Sequence, residues 1–367
     1  MEVNTYPPVS AGSRGFPIFW GRKMDIKSEK INSRWLPSVN IQGIKQIIYG
    51  LSTIMVLCLW FAKNKKKKKK AILLYSAYVP VALPAVFFSK LFRCPIVVIE
   101  TDFSEFALRY TNQGGLKANL SPFYVRLSKL IRTQFDGYVL VTRQMNFFLN
   151  KKNKPFIVLE GMVSEGNFPA ITNGTYSDNT INVMYAGALF KLFGIDKLIN
   201  SFMLLKSPKF RLWLFGHGDM KGEIAQYAKE DPRIQYFGHV FRDKVLEYEL
   251  RASLLVNPRP TNEEFTKYSF PSKNMEYMAS GTPVLTTKLP GMPKEYHDYV
   301  YLFDDETVEG MAKTLERVLS LPPEELQAKG MAAREFVLRE KNNVVQAKRI
   351  IGLIERVVSK AARSEHH

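Results

Sequence analysis

The sequence predicts an α/β protein made of two doubly wound halves facing each other across a cleft. Three observations predict it. Short Val/Ile/Leu runs alternate with helical patterns from Ala71 to Thr287, and runs of this length suit parallel strands buried on both faces. A polar stretch from Ser164 to Thr180 breaks the alternation near its middle and reads as a linker. The 367 residues, 46% of them hydrophobic, suffice for two cores of ordinary size. The expected boundaries are residues 1–163 for the first half, 164–180 for the linker and 181–342 for the second half. Residues 343–367 form a last helix expected to cross back to the first half.

The front of the chain is the weakest match to this plan. Met1 to Thr5 reads as a strand, PPVSAGSRG follows, and Phe16 to Arg34 carries no helical apolar stripe. Either an opening βα unit of ~30 residues with its return strand is absent, or Met1 to Thr5 is the first strand with a long loop behind it. We expect the former. Ile47 to Ala62 is apolar, slightly short for a spanning helix, and runs into Lys63 and the block Lys65 to Lys70. Strands are then expected at Ala71 to Tyr75, Pro95 to Glu100, Gly137 to Val141 and Phe156 to Leu159, with helices at Val79 to Phe92 and Pro122 to Phe135.

In the second half, strands are expected at Ile181 to Ala186, Arg211 to Phe215, Ile234 to Phe237 and Leu254 to Asn257. Helices are expected at Gly194 to Leu205, Lys221 to Lys229, Asp243 to Ala252 and Asn343 to Ala362. One more helix and strand lie in YSFPSKNMEYMASGTPVLTT, Tyr268 to Thr287. Ser272 after Pro271 reads as its N-cap, Gly281 as the C′ residue that ends it, and Val284 to Thr287 as the buried strand.

Composition narrows the function classes. A net charge of +18 asks for nucleic acid, an anionic membrane surface or phosphorylated small substrates as partner. Nucleic acid is not expected, since no aromatic–basic RNA-binding pattern, zinc finger or helix-turn-helix signature is present. An interfacial helix with a polybasic flank fits anionic lipid headgroups, and a half-buried helix followed by a solvated lysine loop is the other reading. Two cysteines, Cys58 and Cys94, far apart and in apolar surroundings, argue for a reducing cytoplasm. The five histidines lack metal-binding spacing, so no metal is expected. No secretory signal is read in Met1 to Trp20. Together these place the protein in the cytoplasm, peripheral on the inner face of the cell membrane.

Glu276 lies four residues past Ser272 rather than three, so it is not a capping-box partner and its carboxylate is left for another task. Its segment, Glu276-Tyr-Met-Ala-Ser-Gly-Thr-Pro-Val284, resembles the nucleotide-sugar site of family-4 glycosyltransferases, retaining enzymes of the GT-B fold with two Rossmann-like domains. The resemblance implies that Glu276 holds the ribose hydroxyls of the donor. It also implies that Gly187, in Tyr185-Ala-Gly-Ala-Leu-Phe-Lys191, lets the backbone approach a phosphate. An Arg often follows that glycine and a Lys often precedes the next. Here Ala188 and Phe193 stand there, leaving Lys191 as the nearest cation, with Arg259 and Lys273 as replacements on the diphosphate. Gly216 and His217 match the turn after the next strand, and Gly238, His239 and Val240 match a loop that contacts the base.

Family-4 enzymes often carry a second glutamate eight positions before the one on the ribose. That position is Tyr268 here, and Glu263 and Glu264 lie nearby, Glu264 being our candidate donor contact. Asp102, at the end of a first-half strand, is the candidate toward the donor sugar or acceptor, with helix capping as its other reading. Lys191, Arg259 and Asp102 are the candidates for catalysis. The resemblance implies retaining, metal-independent transfer from a UDP- or GDP-sugar, a substrate and not a cofactor, to a lipid-linked or polysaccharide acceptor. A non-catalytic donor-binding subunit, or nucleotide-sugar epimerisation through His217 and His239, are the alternatives.

Overall fold

The computed structural model describes residues 2–5, 18–19, 22–23, 32–41, 43–101, 116–164, 166, 168 and 180–364. At the front, β1 (Glu2–Thr5) lies parallel to β4 (Asn32–Trp35), and β3 (Arg22–Lys23) runs antiparallel to β4. β2 (Ile18–Phe19) pairs antiparallel with β5 (Ser38–Val39). The 20-residue helix Ile44–Lys63 follows, longer at both ends than its apolar stretch. Then β6 (Ile72–Tyr75), β7 (Ile96–Glu100), β8 (Gly137–Leu140) and β9 (Phe156–Val158) form one sheet in that order, β6 and β7 parallel. Ile96, Val97, Val98 and the whole of β8 are buried, as continuous β-branched runs require. The helix Val79–Leu91 carries Pro80 in its first turn, where a missing N–H costs nothing.

The chain divides into two compact units. One takes residues 1–139, 147–157 and 351–367, the other 140–146 and 158–350. The helix Asn343–Ser364 thus contributes to both, and Val357 packs on Gly137, where a Cβ would stand 2.8 Å from its methyl.

The second unit holds a six-stranded parallel sheet. Its strands are β10 (Ile181–Ala186), β11 (Phe210–Phe215), β12 (Ile234–Gly238), β13 (Leu254–Asn257), β14 (Val284–Thr286) and β15 (Tyr301–Leu302). Their order is β12-β11-β10-β13-β14-β15. The chain moves outward from β10 to β12, then returns to the other flank of β10 at β13. The β10–β13 border is therefore the switch point, where connections leave to opposite sides and a crevice opens at the strands' carboxyl ends. The core on one face joins Val183, Leu212 and Leu254 to Leu198 and Phe202 of the helix Ile195–Met203.

Ser272 departs from expectation. The helix Ser272–Ser280 has Pro271 as its N-cap, with no side-chain capping bond. Pro271 already fixes the entry φ near −65°, so Ser272 enters the first turn, and the Asn274 N–H donates to the Pro271 carbonyl at 3.0 Å. Gly281 ends the helix in the left-handed region, φ +85°, as the C′ reading requires.

Two polar links hold this helix against the sheet. Asn257 at the end of β13 donates to Asn274 Oδ1 at 2.6 Å, and Asn274 Nδ2 donates to Thr286 Oγ1 of β14 at 3.4 Å. Pairing of β10 with β13 ends at Met184–Leu255, while the Gly187 N–H bonds to Phe215 of β11. Ala186 is therefore left with its N–H and C=O turned toward the β13 side, unmatched by strand. The buried Tyr277 hydroxyl takes both, accepting from Ala186 N at 2.8 Å and donating to Ala186 O at 3.0 Å. Burial holds the Tyr277 phenol well above its ordinary pKa, so it stays a donor. Tyr277→Phe leaves a buried N–H and C=O without partners, and we expect a loss of about 2–4 kcal/mol in urea unfolding.

Candidate functional site

Three turns stand side by side at the carboxyl ends of β10, β11 and β12. The Gly216 N–H donates to the Gly238 carbonyl at 2.8 Å, and Leu189 N–H to the His217 carbonyl at 2.9 Å. Gly216 has φ +129°, and a Cβ there would stand 1.8 Å from the Gly187 carbonyl oxygen, so only glycine lets these turns approach. Gly187, Gly216 and Gly238 sit at the strand ends where the sequence places them, and the fold brings them together. The exposed rings of His217 and His239 stand 5.4 Å apart, with Val240 next along the chain. Ala188 carries no charge to this turn; its carbonyl accepts from the Tyr185 hydroxyl at 2.9 Å.

Lys191 opens the short 3-10 helix Lys191–Phe193 with its side chain in solvent, and its own N–H donates to Asp219 Oδ1 at 3.2 Å. Arg259 follows β13 across the switch point. Its guanidinium lies over the Phe193 ring at 4.5 Å and near the Phe265 ring at 5.6 Å. Phe193, standing where the family resemblance expects a lysine, thus places a cation that arrives from the neighbouring strand. Close packing of Gly194 supports the arrangement, since a Cβ there would stand 2.3 Å from the Pro258 carbonyl oxygen. The loop behind Arg259 is pinned: Thr261 gives its N–H and hydroxyl to Glu306 at 3.0 and 2.6 Å, and Thr287 donates to the Arg259 carbonyl. Glu264 sits exposed in the 3-10 helix Glu264–Lys267, while Tyr268, eight residues before Glu276, is buried.

Glu276 is not without partners. Lys273 Nζ stands 2.8 Å from its Oε2, and Arg242 Nε, from the helix Arg242–Arg251, stands 3.4 Å from its Oε1. The Lys273 ammonium also lies 3.6 Å from Glu249 Oε1. These contacts explain a lysine in a first helical turn, where the helix dipole opposes it. Glu249 is the residue that the sequence reading missed. Its side chain is wholly buried, and neither carboxylate oxygen has a hydrogen-bond partner. Burial first, then the nearby Glu276 charge, push its pKa up to about 7 against the pull of Lys273 and Arg242. The signal was available: Val245, Tyr248, Glu249 and Ala252 follow helical spacing, so a glutamate stands on the inward stripe. Asp102 lies outside the described residues.

The cluster, the stacked Arg259 and the glycine turns all belong to the carboxyl edge of one sheet. Such an edge offers backbone N–H groups and cations to a phosphorylated ligand and carboxylate oxygens to hydroxyls.

Residues 180–320 match the family model described as glycosyl transferases group 1. No curated protein matches the chain. Among solved structures, the fold is similar to sucrose-phosphate synthase from Thermosynechococcus elongatus, with TM-score 0.64, 15% identity, and coverage of 89% of this chain and 84% of that one. It is similar to HepE of Anabaena in complex with UDP, with TM-score 0.59, 13% identity, and coverage of 92% and 86%. It is also similar to the lipopolysaccharide outer core galactosyltransferase WaaB, with TM-score 0.58, 13% identity, and coverage of 100% of both chains. The chain therefore has the GT-B fold, and its residues 180–320 are similar to the group 1 glycosyl transferases.

Proposed function

We propose that the protein is a retaining, metal-independent hexosyltransferase moving a sugar from a UDP- or GDP-sugar to a lipid-linked or polysaccharide acceptor. The observation that carries this reading is the position of Glu276. Its helix is bolted by Tyr277 to Ala186, the residue before the Gly187 turn, so a carboxylate and a glycine turn are fixed on neighbouring elements. In this reading Glu276 accepts from the ribose hydroxyls. Gly187 and its neighbouring turns approach the diphosphate, and Arg259, Lys191 and Lys273 offset its charge. Gly216, His217, Gly238, His239 and Val240 then border the base, and Glu264 and Asp102 remain the candidates toward the sugar and acceptor. HepE, similar in fold, has been solved with UDP and with UDP-glucose, which supports a nucleotide-sugar donor. A second reading, a donor-binding subunit without turnover, is favoured by the buried Tyr268 where the family resemblance expects a glutamate.

Calorimetric titration with UDP, GDP and their sugars tests the donor site. We expect micromolar binding to one nucleotide, weakened at least tenfold in Glu276→Ala as charge-assisted bonds to the ribose are lost. Equal binding by wild type and variant would end the assignment of Glu276. Release of nucleotide from the sugar donor separates the enzyme from the binding subunit.

We also propose that the first unit rests on an anionic membrane from the cytoplasmic side. The helix Ile44–Lys63 is long and apolar enough to cross a membrane by length and composition. It exposes Ile47, Leu51 and Leu59, while Tyr49, Leu57 and Phe61 are buried. Leu83, Phe87 and Leu91, spaced by four on the helix Val79–Leu91 packed beside it, are also exposed, so the apolar surface is shared by two helices. Lys63 and Lys65 to Lys69 are exposed at the end of the first helix. An apolar face with a basic flank supports burial at a headgroup boundary rather than a solvated loop. Co-sedimentation with phosphatidylglycerol vesicles is expected, reduced about tenfold or more when Lys65 to Lys69 are changed to Gln, at roughly 1 kcal/mol per lysine. Binding unaffected by those changes and by salt would overturn the proposal.

A further inference from the structure

Burying a carboxyl group with neither oxygen hydrogen-bonded is costly, and a fold retains it only where the group is neutral or set against a charge. Glu249 is such a group, and it stands behind the candidate ribose carboxylate rather than in the general core. The groups that face it can be named. From the helix Ser272–Ser280 they are the Lys273 ammonium at 3.6 Å, the Glu276 carboxylate beyond it and the buried Tyr277 phenol. From its own helix the charged group is Arg242, two turns away, which reaches the far oxygen of Glu276 at 3.4 Å. The Glu249 backbone is fixed as well, since Thr282 Oγ1 donates to its carbonyl at 2.7 Å.

We propose that Glu249 is a positioning residue that sets how strongly the Lys273 ammonium is held inward, and through Lys273 sets the charge that the Glu276 site presents to a nucleotide-sugar diphosphate. This rests on the reading of Glu276 as the donor carboxylate. With Glu249 charged, Lys273 stands between two carboxylates, and the four groups together carry no net charge. With Glu249 protonated, Lys273 is held by Glu276 alone, and the cluster carries one positive charge more. A dianionic diphosphate is drawn more strongly to the second state. Because burial lifts the Glu249 pKa to about 7, the two states exchange near neutral pH.

A carboxyl whose folded pKa lies above its unfolded value binds its proton more tightly when folded, so folded stability falls as pH rises from the ordinary carboxylate range to about 7. Donor affinity is expected to fall over the upper part of the same window, as Glu249 ionises.

The test is calorimetric titration of the full chain with UDP-glucose and with GDP-mannose, whose diphosphates keep their charge between pH 6 and 8. Wild type, Glu249→Gln and Glu276→Ala are compared, with thermal unfolding followed in parallel. We expect wild-type affinity for the accepted donor to be roughly fivefold higher at pH 6 than at pH 8. Glu249→Gln, permanently neutral, should hold the pH 6 affinity throughout, a change that a merely structural residue would not produce. A pH step that persists in Glu249→Gln, or no step in wild type, overturns the role of Glu249. If Glu276→Ala has meanwhile lost binding, the donor site itself still stands. Failure of folded wild type to bind either donor at any pH removes the donor reading and this inference together. If Glu249→Gln does not fold, the step in wild type is decisive when compared with Lys273→Gln. That variant removes the ammonium and should abolish the step, and a step that remains sinks the idea.

Discussion

Two hydrogen bonds between the Tyr277 hydroxyl and the Ala186 backbone, one accepted and one donated by the hydroxyl, fix the geometry on which the candidate site depends. A parallel sheet that reverses direction of growth at β10 must leave backbone groups unmatched where β13 falls short. Unmatched buried groups cost about 1–3 kcal/mol each, so something has to meet them. Here it is a side chain from the very helix that carries Glu276. The defect of the switch point and the placement of the carboxylate are therefore one arrangement. The Asn257–Asn274–Thr286 contacts repeat the idea on the next two strands, where side-chain amides and a hydroxyl tie the helix start to the sheet edge.

The charges at this edge are held in two different ways. Arg259 is stacked on Phe193 and lies near Phe265, so ring faces orient its guanidinium. Lys273 is held by carboxylates, one exposed enough to meet a ligand and one wholly buried. A stacked arginine is pre-oriented for a planar, bidentate partner, whereas a lysine between carboxylates sits in surroundings whose net charge depends on their protonation. The two cations are thus held by different forces, although both belong to the carboxyl edge of one sheet.

Most of the architecture was legible in the sequence because parallel strands buried on both faces leave little choice of residue. Runs such as Ile181–Ala186 and Leu254–Asn257 match the expected strands, and the alternation with helices gives the α/β class. Gly281 was legible because only a left-handed residue ends that helix before Pro283. The cap was not, since the sequence offers two neighbours for one role and the fixed φ of Pro271 decides between them. The glycine turns could be placed on strand ends, yet their mutual contact could not. It depends on Gly216 meeting Gly187 from another strand, 29 residues away in sequence. Likewise Phe193 read as a lost cation, and only the fold brings Arg259 over its ring.

Glu249 shows where such reading fails and how it could improve. A helical stripe is usually searched for its apolar members, and a glutamate on the stripe is passed over as noise. The physical cost runs the other way: an ionisable group on the inward face is the position that demands an explanation. Val245, Tyr248 and Ala252 bracket Glu249 at core spacing, so the helix cannot turn it to solvent without exposing them. Its partner then has to come from another element, and the candidate in reach is a lysine in a first helical turn, a placement the helix dipole disfavours. Two locally unfavourable choices, an inward glutamate and a lysine at a helix start, offset each other once they meet at 3.6 Å. Neither is informative alone. Read as a pair, they locate the charge cluster behind Glu276 from sequence features that no fold-level pattern uses.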